Sequence, residues 1–511
     1  MGYVKTYQDL LEVGDSEQRR MQFVKDAINA HKGSALYQQA SIANEYDKQR
    51  NVTIMNYVKL LQKVTGEVIP DEWSPNYKLC SNFFHRLITQ VVEYLLGNGV
   101  TWGKPSRPIS EATAQRYPQD EVYKEDVWDE KLEMYIPQWY VKGTDKKVGE
   151  DFDQRLQEMA QEAYIGEVSF GFWNYDHLEV FHVREFVPLY DEENGALMAG
   201  IRFWQVNPDK PLRATLYEVD GVTDYIWKKG ATNGEIKEAK RGYTQKTLNS
   251  AIDGERIYDG ENYERFPIVP MWTSRARQSA LVGLRENIDA YDLLKSGLCN
   301  TIDETAEVYW VLNNADGMHE EDLVKFTDSI RRTHTAMVDN EGTTAEAHTL
   351  DVPINARDSA LDRLRNDMYD DFMAVDTKNI ASGATTATQI QASYEPMNSK
   401  ADELEFCVLD FIQSILAIAG IEDKATFARS VIVNRLEEVQ ILTQSAMTLP
   451  EEYLTKRILT VLGDSDAYDR IQREKDMEDM EARPMTGSET NDEEETTEEP
   501  QEGEEETPAE E

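Results

Sequence analysis

Four aspartates that lie close together in the chain are the residues with the clearest potential for chemistry: Asp367, Asp370, Asp371 and Asp376. Clustered carboxylates can hold two Mg²⁺ ions and cleave phosphodiester bonds. These four, however, lie at the end of a predicted helix and away from its apolar stripe, where carboxylates are normally solvated. We therefore interpret the cluster as a solvated helix face and predict no metal site there.

Other catalytic signatures are missing from the sequence. It contains no G-x-x-x-x-G-K-[ST] loop, no G-x-G-x-x-G after a strand, no H-E-x-x-H and no G-x-S-x-G. His177 and His182 lie on predicted strands without a cysteine or a third histidine beside them. Cys80, Cys299 and Cys407 are too far apart for a zinc-finger spacing or a disulfide framework. The sequence therefore predicts no enzymatic activity and no cofactor.

Acidic residues dominate the charge of the chain, with 96 Asp and Glu against 53 Lys and Arg and a net charge of −43. Affinity for nucleic acids comes mainly from basic residues that neutralise phosphates, so tight DNA binding is not expected. No apolar run approaches the roughly 18 residues of a membrane span, and the N-terminus lacks the apolar core of a secretory signal. Residues 485–511 contain 13 acids and no bases, which predicts a disordered acidic tail.

The elements that must position these residues follow from hydrophobic periodicity. With 511 residues, the chain is long enough for about three domains. Residues 1–165 are mainly helical in pattern, and residues 166–270 have the short alternating runs of a β-rich segment. An apolar stripe from Leu281 to Leu312 predicts a helix of about 48 Å, which would extend beyond its own domain.

The second half of the chain continues this helical pattern. A small mixed module (313–354) separates the first long helix from a second helix (355–373), which indicates a helical hairpin with an inserted tip. Small and polar residues then interrupt the pattern (374–384). A long helix follows (385–420), for which we predict a bend at Pro396, since proline removes a helical hydrogen bond. Residues 421–484 begin with a short strand and are otherwise helical, so the predicted fold class is α+β and mainly helical.

The order of these parts resembles the portal proteins of tailed bacteriophages, of the type found in phages of Gram-positive bacteria. The resemblance covers about residues 44–474, and its motifs are specific as an ordered set rather than singly. They are NFFHRLITQVVEYLLGNGVTW, VREFVPLYDEENGALMAGIRFW, LRENIDAYDLLKSGLCNTIDETAEVYWVLNN, LDVPINARDSALDRLRNDMYDDFMAVDT and SGATTATQIQ. The chain departs from the family where a proline often precedes Ser-Gly and a lysine follows, because it has Ala381 and Thr388-Gln389 there.

The resemblance implies a portal-like ring subunit with a β-rich wing, long stem helices, an inserted α/β clip, a kinked long helix and a helical crown. The implied parts are the wing (1–280), stem helices (281–312 and 355–373), clip (313–354), tunnel loop (374–384), kinked helix (385–420) and crown (421–484). It also implies a homo-oligomer of twelve copies at the portal vertex of the virion, assembled in the bacterial cytoplasm. The implied partners are double-stranded DNA without sequence specificity, the terminase large subunit, a head–tail adaptor at the clip, and the major capsid and scaffolding proteins, with no membrane.

Candidate DNA contacts follow from this assignment. In the tunnel loop they are Lys378, Asn379, Ser382 and Gly383, and on the second stem helix they are Arg357, Arg363 and Arg365. Each stem arginine can instead pair with one of the many nearby acids. A channel lined mainly by acids would repel phosphate, so that DNA slides instead of binding.

Three other hypotheses remain open from the sequence. A metal-dependent nuclease or packaging-motor component would use the cluster from Asp367 to Asp376, but a motor needs a phosphate-binding loop. Another ring-forming head–tail connector would normally be a much shorter chain. An acidic chaperone-like protein would bind basic proteins through its tail. A symmetric ring with a central hole in electron micrographs would separate the DNA conduit from the nuclease and the chaperone.

Overall fold

The computed structural model describes residues 4–62, 67–71, 74–129, 134–230, 234–248, 257–305, 309–313, 344–348, 354–378, 387–430, 439, 442–444, 450–462 and 468. The chain divides into two compact units, Met1–Val431 and Ile432–Glu511. The described helices of the first unit are α1 (Tyr7–Val13), α2 (Glu17–Lys32), α3 (Ala35–Asp47), α4 (Val52–Met55), α5 (Phe83–Leu96), α6 (Glu111–Ala114), α7 (Thr144–Lys147), α8 (Phe152–Gly166), α9 (Arg285–Thr305), α10 (Ile354–Phe372) and α11 (Ala387–Ala419). The second unit contains α12 (Glu451–Leu462).

The strands form small antiparallel sheets. In chain order they are β1 (Leu60–Gln62), β2 (Val68–Pro70), β3 (Val100–Trp102), β4 (Arg107–Ile109), β5 (Val122–Asp129), β6 (Met134–Val141), β7 (Ser169–Asn174), β8 (His177–His182), β9 (Phe186–Tyr190), β10 (Leu197–Trp204), β11 (Leu212–Glu218), β12 (Gly221–Trp227), β13 (Glu235–Arg241), β14 (Thr244–Leu248), β15 (Ile257–Glu261), β16 (Ile268–Met271), β17 (Tyr309–Asn313), β18 (Thr344–His348) and β19 (Ala425–Phe427). The β-rich segment contains a five-stranded meander, β9 to β13, and a three-stranded sheet in the order β16-β7-β8. The α+β fold class and the β-rich segment are therefore confirmed.

The N-terminal segment is less helical than its pattern predicts. Residues 1–165 include six strands, among them a three-stranded sheet in the order β4-β6-β5. The sequence of these strands lacks the two-residue alternation of a half-buried sheet, because neither face of this sheet is well buried. Much of β6 is exposed or half-buried, and Trp128 and Tyr135 at the far end of the β5–β6 pair are at least half exposed. Without a buried face, the strands lack the alternation of apolar and polar residues by which a strand is recognised.

The main hydrophobic core lies where α5, α8 and α11 meet. Leu87 and Val91 of α5, Met159 of α8 and Phe411 of α11 are all at most 1% exposed and belong to one cluster. Burial of an aliphatic or aromatic side chain of this size contributes about 1.5–3 kcal/mol, so this cluster dominates the stability of the first unit. A second cluster forms where α1 and α2 pack on the five-stranded meander.

The predicted helix from Leu281 to Leu312 is wrong in its extent. Helix α9 begins at Arg285 and ends at Thr305, and Leu312 lies in β17, which pairs with β18. Tyr309 and Leu312 continue the three-residue spacing of the apolar stripe although they lie in this strand, so the spacing alone could not show where the helix ends. The predicted hairpin itself is present, because α9 packs on α10 and β17 pairs antiparallel with β18 between them in the chain.

The long helix α11 contains Pro396 inside its span, and the bend predicted there stays a prediction. Beyond it, the predicted strand near residue 425 is confirmed as β19, which pairs with the distant β3. The helical pattern predicted for residues 421–484 is confirmed at α12. Most of the predicted clip, most of the residues after α12 and the predicted tail from residue 485 lie outside the described residues. Among the described helices, none combines the length and the apolar character that a bilayer span requires.

Candidate nucleic-acid interface

The helical hairpin of α9 and α10 carries the basic contacts predicted on the second stem helix. Arg357, near the start of α10, lies beside Thr301 at the end of α9, and Asp371, at the end of α10, accepts a hydrogen bond from Asn287 near the start of α9. The two helices therefore run antiparallel. The loop that follows α10 consequently lies at the same end of the hairpin as the start of α9.

Arg365 is bound within the subunit. Its Nη2 lies 2.7 Å from Oδ1 of Asp376, and the two side chains are only 19% and 7% exposed. The guanidinium also lies over the ring of Tyr369, 5.7 Å from its centroid. A nearly buried ion pair of this kind holds its partners in place, because breaking it leaves a charge in a poorly solvated position. Arg365 therefore anchors the loop and is not free to contact DNA.

Arg357 and Arg363 differ sharply in their surroundings. Arg357 is half-buried and donates to Thr301 Oγ1 at 2.9 Å, a neutral acceptor. Arg363 is 85% exposed, and its Nε is 4.0 Å from Asp367 Oδ2 on the same helix. Exposed pairs one helical turn apart contribute only about 0.3–0.5 kcal/mol, so Asp367 does not immobilise this side chain. Of the three predicted arginines, Arg363 is the one available to an external phosphate.

The first residues of the predicted tunnel loop are fixed to the body of the subunit. Val375 is 4% exposed, and its carbonyl oxygen accepts a hydrogen bond from Gln90 Nε2 at 2.8 Å. Asp376 Oδ1 accepts from the backbone N–H of Lys378 at 3.0 Å. The tunnel loop predicted at residues 374–384 therefore begins with residues that are packed on the body of the subunit and hydrogen-bonded to it. The side chain of Lys378 is exposed, whereas Asn379, Ser382 and Gly383 lie outside the described residues.

A capping motif explains why α10 ends where it does. Met373 adopts a left-handed conformation with φ +60°, the N–H of Ala374 donates to Tyr369 O at 2.8 Å, and that of Met373 to Asp370 O at 3.1 Å. This pattern of hydrogen bonds is the Schellman motif, in which the left-handed position usually holds glycine. The chain turns there toward the Arg365–Asp376 pair.

The face of α9 that the hairpin does not cover binds an extended N-terminal segment. Backbone N–H groups at alternate residues of this segment donate to side chains spaced four residues apart on α9. The pairs are Tyr77 with Asn300 (2.7 Å), Leu79 with Ser296 (3.0 Å) and Ser81 with Asp292 (2.9 Å). Two extended residues advance about 6.6 Å and four helical residues about 6 Å, so the two periods match over this length.

This contact determines which acidic side chains of α9 remain exposed and which are used inside the subunit. Asp292 is fully buried, and Asp289 accepts hydrogen bonds from Tyr46 Oη at 2.5 Å and Thr53 Oγ1 at 2.6 Å. Burial raises the pKa of the Asp292 carboxyl, although hydrogen bonds from Asn51 and Ser81 act in the opposite direction. Two acids of the first predicted stem helix are therefore used inside the subunit.

Two basic residues near the loop were missed by the sequence analysis. Arg86 of α5 is exposed and donates from Nη2 to Tyr369 Oη at 3.0 Å, so two guanidinium groups flank the same ring. Lys400 of α11 has its Nζ 3.6 Å from the centroid of the Phe372 ring, and burial lowers its pKa to about 8. Lys400 could have been noticed in the sequence, because it is a polar residue within an otherwise apolar helical stripe. Its contact with Phe372 on α10 could not, because that contact depends on tertiary packing.

The carboxylate cluster does not assemble into a metal site in the described part of the chain. Asp376 faces Arg365, Asp371 accepts from Asn287, and Asp367 is nearest to Arg363. No group of three or more potential ligands close enough to hold a metal ion occurs among the described residues. Asp376 and Asp371 thus have separate partners within the subunit and do not converge on a common ion.

These features define the class of the protein: a mixed α+β body that carries an antiparallel helical hairpin, with exposed basic side chains beside a loop anchored by an ion pair. The chain belongs to the phage portal protein family of the SPP1 Gp6-like type, whose match spans residues 39–481. The resemblance seen in the sequence is therefore confirmed.

Two curated relatives have the same description. The portal protein of Clostridium phage phiCD119 is 23% identical over 264 residues, which are 47% of this chain and 58% of that protein. The portal protein of Bacillus phage SPP1 is 21% identical over 408 residues, which are 74% of this chain and 72% of that protein. The chain thus aligns with little more than half of the Clostridium phage protein.

Among solved structures, the chain is similar to components of gene transfer agent particles. A chain from the neck of an empty particle, computed with C6 symmetry, has a TM-score of 0.39 at 10% identity, covering 74% of this chain and 90% of that chain. A chain from the neck of a native particle, computed with C12 symmetry, has a TM-score of 0.38 at 8% identity, covering 74% and 89%. Scores this low carry no argument about detailed geometry.

Proposed function

We propose that this chain is the subunit of a closed ring that forms the DNA channel at one vertex of a phage capsid. The genome would enter through the ring during packaging by the terminase motor and leave through it during ejection. The family match over residues 39–481 carries this proposal. The role is structural: the subunit guides DNA without cleaving it and without a cofactor.

The geometry of the hairpin is consistent with a channel wall. Helices α9 and α10 pack as an antiparallel pair, and hydrogen bonds from residues 77–81 along α9 hold that pair to the body. The net charge of −43 on each subunit would keep DNA from adhering to the ring. Arg363 and Lys378, both exposed, would supply weak and transient contacts with phosphates.

The anchored start of the loop refines the assignment of the DNA-contacting segment. Because Val375 and Asp376 are held by Gln90 and Arg365, the segment free to touch DNA would begin at about residue 377. We propose that Lys378 stands at the base of this segment, with Asn379, Ser382 and Gly383 farther along it.

The proposed partners follow from the same function. Twelve copies would form the ring in the virion, assembled in the bacterial cytoplasm with the scaffolding and major capsid proteins. The region between β17 and β18 would bind the terminase large subunit during packaging and a head–tail adaptor afterwards. Duplex DNA would pass without sequence specificity.

Negative-stain electron microscopy of the purified protein tests this function directly. We expect closed rings with a central hole wide enough for duplex DNA, formed by burial of apolar area between identical neighbours. A monomer in light scattering at micromolar concentration and physiological salt would contradict the proposal. Incubation with duplex DNA and Mg²⁺ addresses the nuclease hypothesis, because cleavage that is lost in an Asp367→Asn/Asp371→Asn variant would overturn a purely structural role.

A further inference from the structure

A cavity of about 770 Å³ in the first unit is lined by an unusual concentration of basic residues. It lies between the segment that joins β3 to β4, the end of β6 with α7, and the residues that follow α11. Its lining includes Lys104, Arg107, Lys142 and Lys147, whereas Glu422 carries the single carboxylate among the described lining residues. The chain as a whole has nearly two acids for every base, so four bases around one cavity are unexpected.

The walls of this basic pocket are held together by two carboxylates that are already occupied. Asp145 Oδ1 accepts hydrogen bonds from the backbone N–H of Ser106 at 2.7 Å and from its hydroxyl at 3.0 Å. Asp423 Oδ2 accepts from Lys104 N at 3.0 Å and from Thr144 Oγ1 at 2.6 Å. Both acids therefore join separate chain segments, and Asp423 also offsets part of the charge of Lys104, whereas Arg107, Lys142 and Lys147 add three more positive charges to the lining.

The protonation of Asp423 agrees with this role. Burial disfavours its charged form, but hydrogen bonds from Thr144, Lys424 and Lys104 outweigh burial and lower the pKa of the Asp423 carboxyl. The carboxylate stays ionised while its oxygens are used by the walls.

Close approach of the backbone makes the pocket preformed. A Cβ on Gly143 would lie 2.1 Å from the backbone nitrogen of Ser106, and a Cβ on Gly103 would lie 2.7 Å from Asp423 Oδ1. Contacts this short are sterically forbidden, so only glycine allows the segments to meet at these two positions. A pocket whose walls are built this tightly loses little conformational entropy when a ligand binds.

The basic side chains themselves have little to neutralise them. No ion pair joins Arg107, Lys142 or Lys147 to a carboxylate within the ranges that the structure describes. Lys104 Nζ donates to the carbonyl oxygen of Glu422 at 2.6 Å, and the nearby Asp423 carboxylate offsets part of its positive charge. Like charges grouped around a concave surface repel one another and raise the local concentration of anions.

We propose that this basic pocket binds a carboxylate-rich segment of a partner polypeptide. An extended acidic segment can place several carboxylates in a cavity of this size, while Pro105, Val141 and Ile421 in the lining offer apolar contacts to the side-chain methylene groups. A DNA duplex is convex and rigid, and a long polyanion would also experience the net charge of −43 on the chain. A short acidic segment would contact the pocket alone.

Binding of a labelled peptide to the assembled full-length protein tests this inference. The probe is a short fluorescein-labelled peptide of alternating Glu and Ser. Its binding is measured by fluorescence anisotropy at about 50 mM salt, where charge screening is weak. The pocket variant is Lys142→Gln/Lys147→Gln, and its charge-keeping counterpart is Lys142→Arg/Lys147→Arg. We expect the pocket variant to bind roughly tenfold more weakly and the arginine variant to retain most of the affinity.

A matched control removes the same two charges elsewhere. Lys228 and Lys229 are exposed at the end of β12 and already pair with Glu235 and Asp209, so Lys228→Gln/Lys229→Gln should leave peptide binding unchanged. Equal losses in the control and pocket variants would overturn the inference, because net charge would then explain the result. Failure of the unaltered protein to bind the peptide would also overturn it. So would pocket-dependent binding of a short DNA duplex that the peptide cannot displace. None of these outcomes bears on ring formation, so this test is independent of the proposed function.

Discussion

At the scale of single residues, the structure distinguishes basic side chains that are held by ion pairs within the subunit from those that are exposed to solvent and can contact an external phosphate. Arg365 and Arg363 lie two positions apart on α10, yet one is held by Asp376 in a nearly buried pair and the other is 85% exposed. Helical geometry explains the difference, since positions two residues apart point about 200° apart around the axis and so lie on opposite sides of the helix. The same residue type therefore has opposite roles within one turn.

Replacing Arg365 by alanine should destabilise the subunit, because it leaves the Asp376 carboxylate nearly buried without its partner. We expect a loss of about 2 kcal/mol, measured as a lower midpoint of denaturant unfolding at fixed protein concentration. Arg363→Ala is the matched control and should change stability by less than about 0.5 kcal/mol. If Arg365→Ala/Asp376→Ala is destabilised by the full sum of the two single variants, the pair is not coupled and the anchor is misassigned.

Lys378→Glu would reverse the charge of the exposed side chain at the base of the proposed DNA-contacting segment. We expect packaging, measured as nuclease-protected DNA, to slow or stop short, because a ring of added negative charge would repel phosphate. Lys378→Arg, which keeps the charge, should package normally, and rings of both variants should assemble. Normal packaging by Lys378→Glu would place the DNA contact elsewhere in the chain.

Lys400 should make stability depend on alkaline pH. Burial lowers its pKa from 10.5 to about 8, so the unfolded chain binds the proton more tightly than the folded one. Stability should therefore rise as pH increases from about 8 to about 10.5, by on the order of 2 kcal/mol, and the full penalty of burying the charge is present below pH 8.

Lys400→Met provides the comparison for this pH dependence. It keeps a long side chain on the Phe372 ring but removes the titrating group. The difference in unfolding midpoint between the unaltered protein and the variant should shrink as pH rises through this window. A difference that stays constant would show that Lys400 is not the group responsible.

At the scale of elements, the ends of helices decide how the hairpin meets the loop. Helix α10 ends in a Schellman motif with Met373 at the left-handed position, whereas α11 ends with Gly420 at φ +70° and a hydrogen bond from Ile421 N to Leu416 O. The two helices thus use the same motif, but only α11 has the residue that adopts it without strain. The strain at Met373 lies next to the proposed DNA-contacting segment.

Met373→Gly should relieve this strain. Met373 is 47% exposed, so little packing is lost, and glycine adopts a positive φ freely. We expect stability to increase by about 0.5–1 kcal/mol, measured by denaturant unfolding. Met373→Val, whose branched Cβ is less compatible with this conformation, should be destabilised. A loss of stability in the glycine variant would mean that the methionine side chain packs more tightly than its exposure indicates.

At the scale of the whole molecule, charge separates the chain into regions with different roles. The acids of the folded part that face inward, such as Asp292 and Asp289, are used in hydrogen bonds, while the tail concentrates 13 acids that have no basic neighbours in sequence. The basic pocket, in contrast, concentrates positive charge in a chain that is acidic as a whole. The ring proposed for the family would multiply these local charges by its number of copies.

Deleting residues 486–511 should leave ring size unchanged. A segment rich in like charges and poor in apolar residues gains nothing by packing between subunits. Electron microscopy or native mass measurement of the truncated protein would show this, with the full-length protein as control. Failure of the truncated chain to form rings would assign the tail a structural role.

The family and many of the helices and strands could be inferred from local patterns in the sequence. Local periodicity recognised α5, α8, α10 and the β-rich segment, because their buried faces repeat at the period of the element. The ordered motifs indicated the portal family although no single residue was diagnostic. The sequence contains none of the catalytic motifs considered, and it therefore predicted no enzymatic activity.

The tertiary structure alone decided which charged residues are free. Arg365 and Asp376 are eleven positions apart, and the extended segment at Tyr77–Ser81 meets α9 more than two hundred residues later, so no local pattern could report either contact. The end of α9 and the exposed sheet of β4, β5 and β6 could not be predicted from the sequence for a related reason. The hydrophobic period of an element reflects which of its faces is buried, and burial depends on how the whole molecule packs. Charge and composition are read from single positions, whereas the availability of a charge depends on what the fold places beside it.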